Sequence, residues 1–396
     1  MEILRNMARR KLRSVLTISG IVIGILALTT MGAMAENFNA LLDGGVKYYG
    51  GAIQVGPDNS QFGSLMTVDK VQQIRNVDGV AAAFPGISLA AKPGDVGVVN
   101  FGVPDMIVSH DPASTRYQTL KTELSAGRDL NVSTGGEVVL GYSLAREFSK
   151  KIGDTIALPV KPKDAKPDFV QRDFKVVGLL AKTQTAPDNM AMVSLADAQY
   201  LLGAGLPEAI RGKIDPTTLA SGIEVYGNPG VNLDQLADKI NSAVPGVKAI
   251  KPTVIVNAFK SGGAVFTAIT TGAALLALII GGLAVINTML MAVTERVREI
   301  GLKKAVGAHT RDIMLEVVTE STAIGLVGGL VGFGLGALVV TIADATTPPS
   351  QSSLFLITPT LVILAIGFSV VLGALAGIIP AFHAARLDPV TALRAA

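Results

Sequence analysis

The sequence has no cysteine and no tryptophan, only three histidines, and a low share of charged residues, 16%. Without cysteine there can be no disulfide, no thiolate-ligated zinc and no cysteine nucleophile. His110, His309 and His383 lie far apart with no HExxH or similar spacing, so no metal site is readable. A GxxxxGK[ST] loop is also missing; the chain does not cradle a nucleotide phosphate in the P-loop manner, and ATP-driven work needs a partner. No GxSxG, SxxK or paired-acid pattern stands out among the scattered Asp, Glu, Lys and Ser residues, so no catalytic residue is assigned and the chain is expected to be non-catalytic.

Long uncharged tracts dominate instead. With 49% hydrophobic residues and a mean hydropathy of +0.48, the composition is that of an integral membrane protein with a substantial soluble part. Residues 1–13 form a basic N-terminus, with Arg5, Arg9, Arg10, Lys11 and Arg13 against the single acid Glu2. Residues 14–35 are then uncharged and long enough to cross a hydrocarbon core of about 30 Å, with the N-terminus in the cytoplasm. Ala33-Met34-Ala35 has the form of a signal-peptidase site. The apolar stretch is longer than a usual signal core, however, and Gly20 and Gly24 suit close helix packing, so a retained helix is expected.

Residues 36–262 carry charges of both signs in near balance and read as a folded domain of short strands and helices between Gly, Pro and Asp turns. Within it, VDKVQQIRNVDGV (68–80) and LDQLADKINSAVPGV (233–247) each give an amphipathic helix, a turn and a strand. With a strand ahead of each, the two units make a ferredoxin-like pair, and the alternative is chance similarity of two short pieces. On the first reading the domain is α+β. A porter-like lobe takes about 50–104 and 216–255, and an inserted smaller lobe takes about 105–215.

Further spans are expected at 263–293, where the surplus length serves as a stalk, at 310–343, and at 355–380, where Pro380 breaks the helix. An external loop, 344–354, joins the last two, and 381–396 ends the chain. Gly325, Gly328, Gly329, Gly332 and Gly336 leave two faces of the third span bare, and Gly373 and Gly377 do the same in the fourth, which favours close helix–helix approach. Five Lys/Arg precede the first span, five fall in 294–312 and two in the C-terminus, against none in the 344–356 loop. The positive-inside rule therefore puts both termini and 294–309 in the cytoplasm and the large domain outside.

The charged stretch TERVREIGLKKAVGA, 294–308, is held between two spans and reads as an amphipathic coupling helix. Glu295–Arg298 and Glu299–Lys303 have helical pair spacing, Val293, Val297 and Ile300 form an apolar stripe for lipid or a partner, and Gly307 can close the helix. Thr310 is suited to cap the next helix, with Asp312 in its first turn. Glu316 and Glu320, one turn apart in the third span, can pair with Lys303, Lys304 or the N-terminal arginines. Snorkelling is the simpler reading for Glu316, whereas Glu320 is a true intramembrane acid. Asp344 is expected to be solvated.

NTMLMAVTERVREIGLKKAVGAHTRDIMLEVVTESTAIGLVGGLVG, together with NMARRKLRSVLTISGIVIG at the start and GIIPAFHAARLDPVTALR at the end, resembles the signature of MacB/FtsX-type ABC transporter permeases. LSAGRDLN, GEVVLGYSLAREF, GDTIAL and FKVVGLLAKT resemble their outer domain, so the likeness runs through nearly the whole chain. It implies a prokaryotic cell-membrane protein of four spans, a homodimer or occasionally a heterodimer, with an ABC ATPase on a separate chain. No cofactor is expected on this chain, and ATP and Mg act through that partner. The likeness assigns ATPase coupling to Thr294, Glu295, Arg296, Val297, Arg298, Glu299, Ile300, Gly301, Leu302, Lys303, Lys304 and Gly307. It further implies mechanotransmission to the outer domain, exporting or extracting a peptide, lipoprotein or amphipathic drug, with a periplasmic adaptor as a possible partner. The alternative is an FtsX-like regulator signalling to a cell-wall hydrolase or a sensor kinase. Membrane lipid is an expected neighbour, and nucleic acid is not.

Overall fold

The computed structural model describes residues 11–58, 65–93, 104–162, 165, 167, 169–206, 211–346, 354–389 and 392, with side chains from Ile18 onward. These residues fall into two compact units. One is helical, built from the chain up to Phe38, Ala264–Thr346 and the C-terminal part, and the other is Asn39–Gly263.

Four helices of the first unit have bilayer length and apolar composition: α1 (Lys11–Tyr49), α6 (Pro252–Glu295), α8 (Thr310–Thr346) and α9 (Pro359–Ala385). At 39 and 44 residues, α1 and α6 are about twice the length a hydrocarbon core requires, and each continues unbroken into the residues of the second unit. The α9 helix starts where Thr358 Oγ1 accepts the Leu361 N–H, with Pro359 in the first turn where its missing N–H costs nothing. Pro380 does not end it, contrary to the sequence expectation. The ring is buried inside the helix, which runs on to Ala385. A membrane helix packed on neighbours tolerates the one backbone bond that proline removes. Asp344, expected in solvent, is half-buried near the end of α8.

The second unit contains a four-stranded antiparallel sheet of β1 (Ile53–Pro57), β3 (Val80–Gly86), β12 (Gly222–Gly227) and β13 (Val247–Ile250), in the order β13-β1-β12-β3. Helix α2 (Asp69–Arg75) links the first pair in sequence and α5 (Leu233–Ala243) the second. The two βαβ units therefore interlock in ferredoxin-like order. Strand alternation turns Ile53, Val55, Ile223 and Val225 toward Val71, Ile74, Leu236 and Ile240 of the two helices, which makes one core.

Between β3 and β12 lies the insert. Its sheet has seven strands in the order β4-β5-β10-β7-β9-β6, where β6 is Leu124–Gly127, with β8 (Thr155–Leu158) also on β9, so it is the larger of the two lobes rather than the smaller. It also begins earlier than residue 105. The strand from Val80 ends at Gly86; the Ile87 N–H goes to Ser109 Oγ, and β4 (Ser88–Ala90) pairs with β5 (Met106–Ser109). β7 (Glu137–Leu140), β9 (Arg172–Leu180) and β10 (Met190–Val193) supply the buried centre around Phe174, Leu140 and Val193. Helix α4 (Leu195–Gly205) seals it, and Ser194 caps that helix. The buried Asp197 accepts from Ser194 Oγ and Gly136 N and pairs with Arg172.

At the edge of this lobe, Arg128 grips Glu137 with both terminal guanidinium nitrogens, at 2.9 and 2.5 Å. The hydrogen bond from Arg128 holds the Glu137 carboxyl down at about 2. Its folded value lies below the ordinary carboxylate range, so the stabilisation is fully present above about pH 4.3 and is lost as pH falls towards 2. Titration by NMR is expected to show the low midpoint in the native chain and its return to about 4 in Arg128→Ala. An unchanged midpoint in that variant would rule the pair out as the cause.

Candidate functional site

α6 stops at Glu295, and Arg296 takes a non-helical backbone before α7 (Val297–Ala305) begins. The last turn of α7 is closed by two crossing bonds, Gly307 N to Lys304 O and Ala308 N to Lys303 O, with Gly307 at φ +104°. That left-handed turn is open to glycine without strain. α8 follows at once. Thr310 is its first helical residue rather than its cap, and the Asp312 carboxylate reaches back to the His309 N–H at 3.1 Å. The short helix is thus delimited at both ends by backbone geometry.

One face of α7 is fastened to the bundle. Ile300 is buried with Val293, Ile313, Val317, Ala381 and Ala384, so two of the three stripe residues rest on the protein's own helices, while Val297 is half-buried. Arg296 forms a two-pronged ion pair with Glu320, at 3.0 and 3.3 Å. Lys303 reaches Glu316 at 2.7 Å and Glu299 at 3.4 Å. Partial burial disfavours the lysine charge, but the bonds and charges of Glu316 and Glu299 outweigh it and the Lys303 pKa is raised. Lys304 Nζ donates to the carbonyls of Ala385 and Leu387 at 2.6 and 2.8 Å, which caps the C-terminal end of α9. A Cβ on Gly301 would come within 2.6 Å of the Ala392 methyl, so the C-terminal segment also packs here.

The other face is open. Thr294, Glu295, Arg298 and Glu299 are exposed, and Leu302 and Val306 are 57% and 82% exposed, an unusual display for large apolar side chains. Arg298, Leu302 and Val306 are spaced four apart and so share one helical face.

Glu316 meets Lys303, one of the partners read from sequence. Glu320 meets Arg296, which was not among them. The N-terminal arginines lie outside the described side chains. What hid the Arg296 contact is the helix break, which a stretch without proline or glycine at that point does not announce.

The glycines divide by face. Gly20 and Gly24 bring α1 against Ala284 and Ala277 of α6. Gly328, Gly332 and Gly336 face Ile21, Ile25 and Thr29 of α1, while Gly325 and Gly329 face Ser369 and Gly373 of α9. From the α9 side, Gly373 and Gly377 meet Ser321. Both serines are fully buried and donate within their own helices, to Val318 O and Ile366 O. The sequence reading did not single them out.

Four bilayer-length helices, a fastened cationic connector between two of them, and a large α+β unit carried between α1 and α6 define a multipass membrane protein. Residues 14–243 match the MacB-like periplasmic core domain and residues 271–389 the FtsX-like permease C-terminal domain. The chain belongs to the MacB/FtsX-type family of ABC transporter permeases. It is 27% identical over 411 residues to the ABC transporter permease MJ1507 of Methanocaldococcus jannaschii, covering 98% of this chain and 96% of that protein. It is 27% identical over 423 residues to the macrolide export ATP-binding/permease protein MacB of Bdellovibrio bacteriovorus, covering 98% of this chain but 60% of that one. The crystal structure of the extracellular domain of YknZ from Gram-positive bacteria aligns over 50% of this chain and 100% of its own, at 11% identity and a TM-score of 0.33. The family match and the four apolar helices make this a multipass membrane protein with an extracytoplasmic domain.

Proposed function

We propose that this chain is the permease subunit of a mechanotransmitting ABC system, in which a separate ABC ATPase docks on the open face of α7. The observation that supports it most is the two-sidedness of α7. Its inner face is tied to α8 and α9 by three cationic side chains, while Arg298, Leu302 and Val306 are offered outward. A push on such a helix moves the bundle rather than bending the connector.

On this reading α7 and both termini are cytoplasmic, two copies of the chain pair, and α1 and α6 act as stalks that carry the stroke to the outer domain. No substrate crosses the bundle itself. A peptide, lipoprotein or amphipathic drug is exported or extracted on the outer side. The macrolide named for the MacB relative supports the last of these classes for that protein, and its extension to this chain is part of the proposal.

The test is reconstitution with the cognate ATPase and the double reversal Arg298→Glu/Glu299→Arg. Stimulation of ATP hydrolysis and co-purification are expected to fall at least about tenfold, the loss of roughly 1.4 kcal/mol of interface energy. Undiminished stimulation with an intact complex would remove the docking role from α7. An envelope-remodelling phenotype without any exported substrate would favour the regulator reading for the same bundle.

A further inference from the structure

On the outer unit, one face of the four-stranded sheet is occupied by α2 and α5, and the opposite face lines a cavity of about 410 Å³. Alternation on β12 sends Ile223 and Val225 into the helix-covered core and Glu224 to the cavity side. Strand register aligns Phe84, Glu224, Gln54 and Ile250 in a single row across all four strands, and all four line the cavity. The inserted lobe contributes Ile87, Val108, Met190 and Met192, and the end of α1 contributes Tyr48 and Tyr49.

Glu224 is the unexplained group in this wall. Among the described lining residues there is no lysine or arginine to balance it. Asp111 is engaged with the Ala113 N–H at 2.9 Å, and His110 Nε2 lies 3.4 Å from Asp129. The Gln54 amide donates to the carboxylate at a long 3.5 Å. The buried Tyr226 hydroxyl, on the same strand face, is a second neutral donor that bears on this carboxylate. Burial pushes the Glu224 carboxyl up against the weaker hydrogen-bond pull of Tyr226 and Gln54 and the pull of His110, as expected for an acid with no lysine or arginine among the described lining residues.

We infer that this cavity binds a small organic cation, a protonated amine on a compact apolar or aromatic body, with Glu224 as its counter-charge. The volume is at the lower end of ligand pockets, which favours a compact body. The apolar walls suit such a body, and Phe84, Tyr48 and Tyr49 bring aromatic rings to the lining, which favour a cation. The inference stands apart from the docking of an ATPase on α7 and survives its failure.

The chain has six tyrosines and no tryptophan, so energy transfer from tyrosine to a bound naphthyl group reports binding directly. The full chain in dodecyl maltoside is titrated with propranolol, a naphthyl secondary amine. Saturable transfer is expected, at least tenfold weaker in Glu224→Gln and unchanged in the exposed-acid control Glu123→Gln. Ser88→Phe, an exposed position on the lining that leaves Glu224 in place, is expected to weaken it as well. Naproxen, a naphthyl carboxylate, is expected not to compete. Non-saturable transfer in the native chain, equal affinity in Glu224→Gln, or equal displacement by naproxen would each overturn the proposal.

Discussion

Gly325→Leu is expected to cost the helical bundle about 3 kcal/mol, whereas Gly334→Leu, about two and a half turns away on the same helix, is expected to change stability by less than about 0.5 kcal/mol. The contrast rests on what a side chain would meet. A Cβ at position 325 would stand 2.5 Å from the Ser369 carbonyl oxygen and 3.0 Å from Gly373 Cα, and backbone atoms cannot rotate aside. A Cβ at Gly334 meets nothing within 4 Å. In lipid the attraction between helices is close packing itself, so separating α8 from α9 removes it with no hydrophobic compensation. The measurement is unfolding in mixed micelles as sodium dodecyl sulfate is raised, followed by circular dichroism. Equal midpoints for the two variants would mean that the glycine faces of α8 are tolerated rather than used.

The bundle was legible from the sequence because its two signals, length of uncharged run and glycine spacing, are one-dimensional. The ends of its helices were less so. Pro380 looks like a terminator, yet neighbouring helices remove the reason for terminating. The ferredoxin-like pair was legible as an echo because both copies keep an amphipathic helix, a turn and a strand together. The inserted lobe was legible only in part. β10 reads Met-Ala-Met-Val and β6 (Leu124–Gly127) reads Leu-Ser-Ala-Gly, so neither has the β-branched alternation that marks a strand, and burial between neighbours decides their state. At the coupling helix, Lys303 was legible as a partner of Glu299 and Glu316, but the partners of Arg296 and Lys304 were not. Lys304 is drawn to main-chain carbonyls at the end of α9, and carbonyls leave no trace in a pattern of side chains.

Glu320→Ala is expected to be the most damaging change at the fastened face of α7, and the comparison with Glu316→Ala shows why. Arg296 and Glu320 are 29% and 15% exposed, whereas Lys303 and Glu316 are 40% and 52% exposed. The second pair is screened by water, and its loss should cost at most about 0.5–1 kcal/mol. The first is largely withdrawn from water, and removing the acid leaves a guanidinium charge without its partner. The full penalty for a buried pair is about 3–5 kcal/mol, which the remaining exposure reduces to about 2. Stability alone does not make this pair part of the coupling path, so a second variant separates the two roles. Arg296→Met/Glu320→Leu removes both charges and keeps the volume, and is expected to recover stability to within about 1 kcal/mol of the native chain. If the pair only holds the fold, that double variant regains ATPase stimulation in full. If the directed, two-pronged bond is what carries motion from α7 into α8, stimulation stays low in the double variant. It returns at least in part in the charge swap Arg296→Glu/Glu320→Arg. We expect the second outcome, because packed apolar side chains slide where a pair of hydrogen bonds 3.0 and 3.3 Å long fixes both distance and direction.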